Sequence, residues 1–220
     1  MKRVLALVEG RTEELFIKNV LDPHLLHYGK KLIPTLVNTR PSGSGSHTKG
    51  GGDFGKLKND MLQLLNDRNA VAITMFYDYY EFPDNFPPGF PLRSVTKGQK
   101  HDGADQLEQA LSAYFKHRRF HPYVHLHEFE AFLFVDARIT ATKLLRPDIE
   151  PDIAKVRAAY ANAEAINDSR TTAPSKRIKI FAKTYNKIAQ GAIIAEDVGL
   201  PALRADCPRF NQWVSWLEQL

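Results

Sequence analysis

Three acidic segments stand where their side chains could act together. They read Glu9-Gly10-Arg11-Thr12-Glu13, then Tyr77-Asp78-Tyr79-Tyr80-Glu81, then His125-Leu126-His127-Glu128-Phe129-Glu130. Each segment follows an apolar run of strand length. Hard divalent cations prefer carboxylate oxygens, and one or two carboxylates with a substrate phosphate are a common Mg²⁺ site. The pattern therefore favours a site for Mg²⁺ or Mn²⁺.

Glu9 and Asp78 are the residues on which this predicted site depends. Each is expected at the carboxyl end of a strand, where open parallel sheets bind ligands. Asp78 could instead cap the following turn, and the helix dipole alone favours Glu13 in a first helical turn. Gly10 is expected to allow a sharp turn and to leave room for a ligand. We predict Glu9 and Asp78 as catalytic metal ligands, with Glu13 in support.

The third segment offers two acids for completing this cluster. Glu128 and Glu130 would share one face if the segment were a strand, whereas a helix would separate them. We predict Glu128 as the third ligand, with Glu130 as the alternative. His125 and His127 lack a further nitrogen or sulfur ligand nearby in the sequence, which disfavours zinc.

The charge balance is compatible with a polyanionic partner. The formal net charge is +5 and the pI is near 9.2, although charge alone is weak support for nucleic-acid binding. A Gly/Ser-rich loop over residues 41–55 lacks the spacing of a P-loop, so nucleotide hydrolysis is not expected. Cations in this loop and at the start of a later helix suit a DNA or RNA backbone, but a surface loop and a solvated helix face account for them nearly as well. The predicted contacts are Arg11, Arg40, Lys49, Lys176 and Arg177.

Hydrophobic patterning places these residues on an alternating set of strands and helices. The order β-α-β-α-β-α-β predicts an α/β fold with a mainly parallel sheet and helices on both faces. Residues 1–146 are predicted to form this domain, and 147–220 a helical extension packed on it. The predicted strands are Arg3–Val8, Ile33–Val37, Ala70–Tyr77 and Tyr123–Leu126. The predicted helices are one from the N-cap Thr12 to Pro23, then Phe54–Asp67, His101–Lys116, Ile153–Ile166, Pro174–Gln190 and a last one around Trp213.

Several protein classes are disfavoured by the composition. The longest apolar runs are too short to span a bilayer, and Met1–Val8 lacks the cleavage site of a signal peptide. A single cysteine, Cys207, excludes an intramolecular disulfide and is expected to be structural. We therefore expect a cytoplasmic protein with no membrane partner.

The same segments, with two more, resemble a known family. The chain is similar over nearly its whole length to the family catalogued as domain of unknown function 4276, which is regarded as Toprim-like, the fold of topoisomerases, primases and overcoming-lysogenization-defect nucleases. The motifs that carry the resemblance are Val8-Glu9-Gly10-x-Thr12-Glu13, Asp78-Tyr79-Tyr80, His127-Glu128-Phe129-Glu130-Ala131, Ala173-Pro174-Ser175-Lys176-Arg177 and Cys207-Pro208-Arg209-Phe210-Asn211-x-Trp213.

The resemblance implies an acidic Mg²⁺ site, and often a neighbouring ATPase in bacterial anti-phage defence systems. Glu9 matches the glutamate of the first Toprim strand, and Asp78 matches the first acid of the Asp-x-Asp motif. Tyr80 stands where that motif has its second acid. A full two-metal site would then need Glu81, Asp84 or Glu128 as a substitute.

Three hypotheses of function follow. The leading one is a Mg²⁺-dependent endonuclease of Toprim type. The second is a non-catalytic sensor or interaction subunit of an ATPase complex with a degenerate site, which Tyr80 favours. The third is a small-molecule phosphohydrolase that uses the same carboxylates, which the basic pI and the basic late helix mildly disfavour.

Overall fold

A parallel β-sheet forms the centre of the computed structural model, which describes residues 1–37, 54–82, 87–90, 100–167 and 172–220. The four strands lie in the order β2-β1-β3-β4, and every neighbouring pair is parallel. This confirms the predicted α/β class. The strands are β1 (Lys2–Val8), β2 (Lys30–Leu36), β3 (Ala70–Asp78) and β4 (Phe120–His125).

Helices connect the strands as predicted, with two corrections in the first connection. Its helix begins at Arg11 with Gly10 as N-cap, so the prediction of Thr12 as N-cap was wrong. Pro23 does not end this helix, because it lies in the first turn of a further segment, where a missing amide proton costs nothing. The connections contain α1 (Arg11–Phe16), a π-helical turn (Ile17–Leu21), α2 (Asp22–Leu26), α3 (Phe54–Leu65) and α4 (Lys100–Phe115).

The chain after the sheet is helical, as predicted, but in shorter pieces. The helix predicted over 153–166 ends at Ala158, and the one predicted over 174–190 ends at Phe181. The α-helices are α5 (Ala137–Lys143), α6 (Glu150–Ala158), α7 (Pro174–Phe181), α8 (Ala192–Val198), α9 (Leu200–Asp206) and α10 (Pro208–Gln219). Short 3-10 helices cover Tyr79–Glu81, Phe129–Phe134, Pro147–Ile149 and Ala163–Ala165, and a π-helical turn covers Lys187–Gly191.

Each face of the sheet has its own hydrophobic core, because side chains alternate between faces along a strand. Helices α3 and α4 cover one face, where Leu7 and Met75 pack with Met61 and Leu107. The first helical connection and the C-terminal helices cover the other face. There the core includes Val4, Phe16, Phe76, Phe132, Cys207, Phe210 and Trp213.

The two predicted domains contribute to one core. Phe76 of β3 packs against Trp213 of α10, with ring centroids 5.5 Å apart, and Trp213 donates a hydrogen bond to Thr74 at 2.9 Å. A domain boundary between residues 146 and 147 stays a prediction. Among the described residues, none of the helices combines the length and apolar character needed to cross a bilayer.

Candidate carboxylate site

The carboxyl ends of β1 and β3 bring Glu9 and Asp78 together. The strands are adjacent and parallel, with Val8 paired to Phe76, so both acids follow at the same edge of the sheet. The backbone amide of Asp78 donates to Glu9 Oε2 at 3.3 Å. The two acids on which the sequence-based site depended are therefore neighbours.

Asp78 also belongs to a buried group that we call the carboxylate cluster: Glu13, Asp78 and Glu130 around the ammonium group of Lys187. Lys187 Nζ lies 3.1 Å from Asp78 Oδ2, 3.3 Å from Glu13 Oε1 and 3.7 Å from Glu130 Oε2. The acids are at most 1 % exposed, whereas the Lys187 side chain is 32 % exposed. The lysine is thus the member of the cluster that reaches solvent.

Four separate elements deliver these side chains. Glu13 lies in the first turn of α1, Asp78 ends β3, and Glu130 lies in the 3-10 helix Phe129–Phe134. Lys187 begins the π-helical turn, whose first residues are capped by the Asn186 side chain accepting from Ala189 N at 3.1 Å. The cluster therefore exists only in the folded chain, since Asp78 and Lys187 are 109 positions apart.

Two glycines leave the space that the cluster needs. A Cβ at Gly191 would come 3.0 Å from Tyr185 Oη and 3.2 Å from Thr12 Cγ2, so a larger residue would push the π-helical turn away. Gly10 has an extended backbone, with φ of −147°, so the expected sharp turn is not the reason for a glycine there. A Cβ at Gly10 would instead come 3.1 Å from Glu13 Oε2.

The electrostatics of the cluster follow from burial and from like charges. Burial raises the pKa of Asp78 to about 8, with Glu13 and Glu130 adding to the rise and Lys187 opposing it. Burial also raises the pKa of Glu130, against Lys187. Although burial disfavours the charged amine, Asp78, Glu13 and Glu130 raise the pKa of Lys187 well above its ordinary value. The ammonium is therefore charged near neutral pH, while Asp78 holds its proton unusually strongly.

Some polar atoms of the cluster are left without hydrogen bonds. Glu13 Oε1, Asp78 Oδ1 and Glu130 Oε2 are buried and have no hydrogen-bond partner in the structure. The other oxygen of Glu130 accepts from the Tyr185 hydroxyl at 3.4 Å. Across the described ranges, no three His, Cys, Asp or Glu residues are already arranged to hold a metal ion, and Lys187 Nζ takes the point on which the acids converge.

Glu128, predicted as the third ligand, has a different contact. Its Oε2 accepts from the backbone amide of Ser175 at 2.8 Å, at the start of α7. Glu130, the alternative left open by the sequence, is the acid that faces Lys187. The chain reverses direction at His127, where φ is 71°, so these residues do not continue β4 and the alternation of a strand does not apply to them.

The two histidines of this segment have ring contacts. His125 is fully buried, and burial lowers its pKa to about 3, so its ring is neutral. Its Nδ1 is 2.9 Å from the Tyr123 hydroxyl. His127 packs against Tyr80, with ring centroids 5.2 Å apart.

The predicted nucleic-acid contacts are scattered. Arg11 pairs with Glu14 at 2.5 Å. Lys176 is exposed on α7, while Arg177 donates to Thr172 O at 2.7 Å and to the Tyr160 hydroxyl at 2.8 Å. Arg40, Lys49 and Asp84 lie outside the described residues.

Lys187 and Tyr185 were not found from the sequence. Both fall in a stretch predicted as the end of a long helix, where a lysine and a tyrosine are ordinary residues. The signal that could have helped is Asn186 as an N-cap, which would have marked a new helical start beside Lys187.

Comparison with known proteins places the chain in a family. The family described as a domain of unknown function (DUF4276) matches residues 8–218. The chain belongs to this family. Neither the curated proteins nor the solved structures contain a match to it.

Proposed function

We propose that the chain hydrolyses phosphodiester bonds of nucleic acid, with a divalent cation at the carboxyl edge of the sheet. The observation that carries this proposal is the surplus of negative charge around Lys187, where three buried carboxylates face one ammonium. Buried charge is costly unless it is balanced. The raised pKa of Asp78 is a direct consequence of this burial and surplus, which a further cation would relieve.

The donor chemistry fits Mg²⁺ or Mn²⁺. Three buried carboxylate oxygens lack a hydrogen-bond partner, and hard cations bind such oxygens. Glu9 and Asp78 would hold the cation with Glu13 or Glu130, and Glu128 would join only by leaving Ser175. The bound cation would supply Lewis-acid charge stabilisation and a water of lowered pKa.

The side chains of the cluster have separate tasks in this proposal. Lys187 brings a positive charge that reaches solvent, suited to a phosphate oxygen. Asp78 changes its protonation near neutral pH, as a general acid or base requires. Glu9 accepts from the Asp78 amide and so fixes the strand end beside it. Arg11 and Lys176, both exposed, are proposed to contact the nucleic-acid backbone.

A Toprim-like relationship is part of the same proposal. It is supported by a parallel sheet in which a glutamate follows β1 and an aspartate ends the adjacent β3. An ATPase partner, a role in bacterial defence and a cytoplasmic location are proposals that rest on the family resemblance.

A cleavage assay with matched acid variants tests the hydrolase. Supercoiled plasmid DNA and a structured RNA are incubated with Mg²⁺ or Mn²⁺ and with wild type, Glu9→Ala or Asp78→Asn. We expect each variant to lose activity by at least about a hundredfold, the scale of removing a catalytic acid or base. Asp152→Asn, an exposed acid on α6, should retain it. Equal cleavage by wild type and Asp78→Asn would overturn the assignment.

A non-catalytic subunit is the second candidate, and Tyr80 favours it. The residue in place of the second Toprim acid packs on His127 and receives a hydrogen bond from Asn167, so this position is built for packing. Lys187 would then be the permanent counter-ion of the cluster. This candidate predicts no Mn²⁺ binding in a titration, and stable co-purification with an ATPase.

A further inference from the structure

A second cavity lies at the opposite edge of the sheet from the carboxylate cluster. Its volume is about 770 Å³, and it opens where β3 and β4 begin. Strand β3 has nine residues, and at about 3.3 Å per residue it keeps the cavity roughly 26 Å from Asp78. The cavity is therefore separate from the site described above.

The floor and one wall of this cavity are apolar and partly aromatic. Strand β1 pairs Arg3 with Ala70 and Val4 with Ala72, so Val71 is an extra residue and its side chain is 41 % exposed. Such bulges redirect side chains at strand ends. Trp216 of α10 stacks on His121 with centroids 4.2 Å apart and planes at 22°, which gives the wall a flat surface.

The rim of the cavity is basic, and Arg119 fixes its shape. The Arg119 guanidinium donates to the carbonyl oxygens of Asp67 at 2.6 Å, of Leu65 at 3.1 Å and of Ala70. These bonds tie the loop before β4 to the loop before β3. His117 and His121 also line the rim.

Arg68 and Arg118 are the cations of the rim that remain available. Both are exposed, and neither has a hydrogen bond or an ion pair within the part of the chain that the structure describes. Nearby acidic groups are already engaged, since Asp67 pairs with Arg3 at 3.3 Å and the Leu220 oxygen accepts from Lys2. The cavity therefore presents positive charge above an apolar floor.

We propose that this basic cavity binds the phosphate groups of a nucleotide, either free or within a nucleic-acid strand. Guanidinium groups form strong paired hydrogen bonds with phosphate. The aromatic wall suits a base, because bases stack on aromatic side chains. The volume suits a ligand of nucleotide size.

Calorimetric titration without divalent cations tests this proposal and separates it from the proposed hydrolase. The probes are ATP, inorganic triphosphate and a 12-nucleotide single strand, each in EDTA at low salt. The double variant Arg68→Glu/Arg118→Glu should raise the Kd of the bound probe at least about tenfold. For the oligonucleotide, the slope of log K against log salt should fall by about two, one for each lost phosphate contact.

Two controls make the result specific. Arg138→Glu/Lys155→Glu reverses two exposed charges on α5 and α6 and should change the Kd less than twofold. Asp78→Asn should bind like wild type, so failure of the hydrolase does not affect this test. Binding of ATP but not of the strand would identify a free nucleotide as the ligand, and the reverse would identify the nucleic-acid backbone.

Three outcomes would overturn the proposal. One is a wild type that binds neither ATP nor the strand below millimolar concentration. Another is binding that survives the Arg68→Glu/Arg118→Glu exchange. The third is polyglutamate binding as tightly as the oligonucleotide, because the cavity would then select negative charge of any kind.

Discussion

The two edges of the sheet carry charge in opposite ways. At the carboxyl edge, acids that are at most 1 % exposed surround Lys187. At the amino edge, Arg68 and Arg118 are exposed and have no partner among the described residues. Buried charges must be balanced within the fold, whereas water screens exposed ones. A change at the carboxyl edge should therefore alter stability, and a change at the amino edge should mainly alter what the surface attracts.

The largest expected effect is that of Lys187→Met. This change leaves Glu13, Asp78 and Glu130 buried without their counter-ion, and breaking a buried ion pair in this way costs about 3–5 kcal/mol. Urea denaturation at pH 8 should show this loss in the free energy of unfolding. Lys183→Met, an exposed lysine four positions earlier, should change it by less than about 0.5 kcal/mol. Equal stability of both variants would mean that Lys187 does not balance the acids.

Arg119→Ala should have the next largest effect, and it limits the contrast between the edges. Arg119 belongs to the basic edge, but its guanidinium donates to three backbone carbonyls. Hydrogen bonds from a charged donor are worth about 1.5–3 kcal/mol each where they are buried. Since Arg119 is only half-buried, we expect a total loss of about 2–3 kcal/mol. Arg118→Ala is the neighbouring control and should leave stability unchanged.

The strand ends were predictable from the sequence, but the cluster was not. Apolar runs that end on Glu9 and Asp78 are local signals, and parallel pairing then brings the two residues to one edge. Lys187 reaches that edge through packing of the C-terminal helices, and no local pattern reports a contact across 109 positions.

The choice between Glu128 and Glu130 shows a second limit of sequence reasoning. It depended on the backbone conformation of one residue. The positive φ of His127 ends the strand geometry, and the 3-10 helix that follows turns Glu130 toward Lys187. Non-glycine residues rarely adopt such a φ, so the sequence favoured the simpler extended path.

Asp78 should make stability depend on pH in a direction opposite to that of an ordinary paired acid. Its pKa is raised to about 8 in the fold and is about 3.9 when unfolded, so the folded state binds the extra proton. Its contribution to stability is complete below about pH 4 and is lost as the pH rises through 8, by up to about 1.4 kcal/mol per pH unit.

The variant Asp78→Asn isolates this contribution. Between pH 5 and pH 8 the stability of wild type should fall relative to that of Asp78→Asn in parallel urea series. Asp67→Asn is the opposite control, because a backbone hydrogen bond from Asn69 and the charge of Arg3 lower the pKa of Asp67 despite some desolvation. A constant difference between wild type and Asp78→Asn over this range would contradict the raised pKa.

The smallest expected effect concerns His117 at the basic edge, and it detects charge without any change in folding. Partial burial lowers the pKa of His117, and the charges of Arg119 and Arg118 lower it further. Arg118→Ala should therefore raise the pKa of His117 in an NMR titration of its ring proton, with the free energy of unfolding within about 0.5 kcal/mol of wild type. Arg68→Ala, which removes a charge of the same rim that does not act on His117, should leave this pKa in place. If Arg118→Ala instead lowered stability by as much as Lys187→Met, the arginine would be balancing a buried group, and the distinction between the two edges would fail.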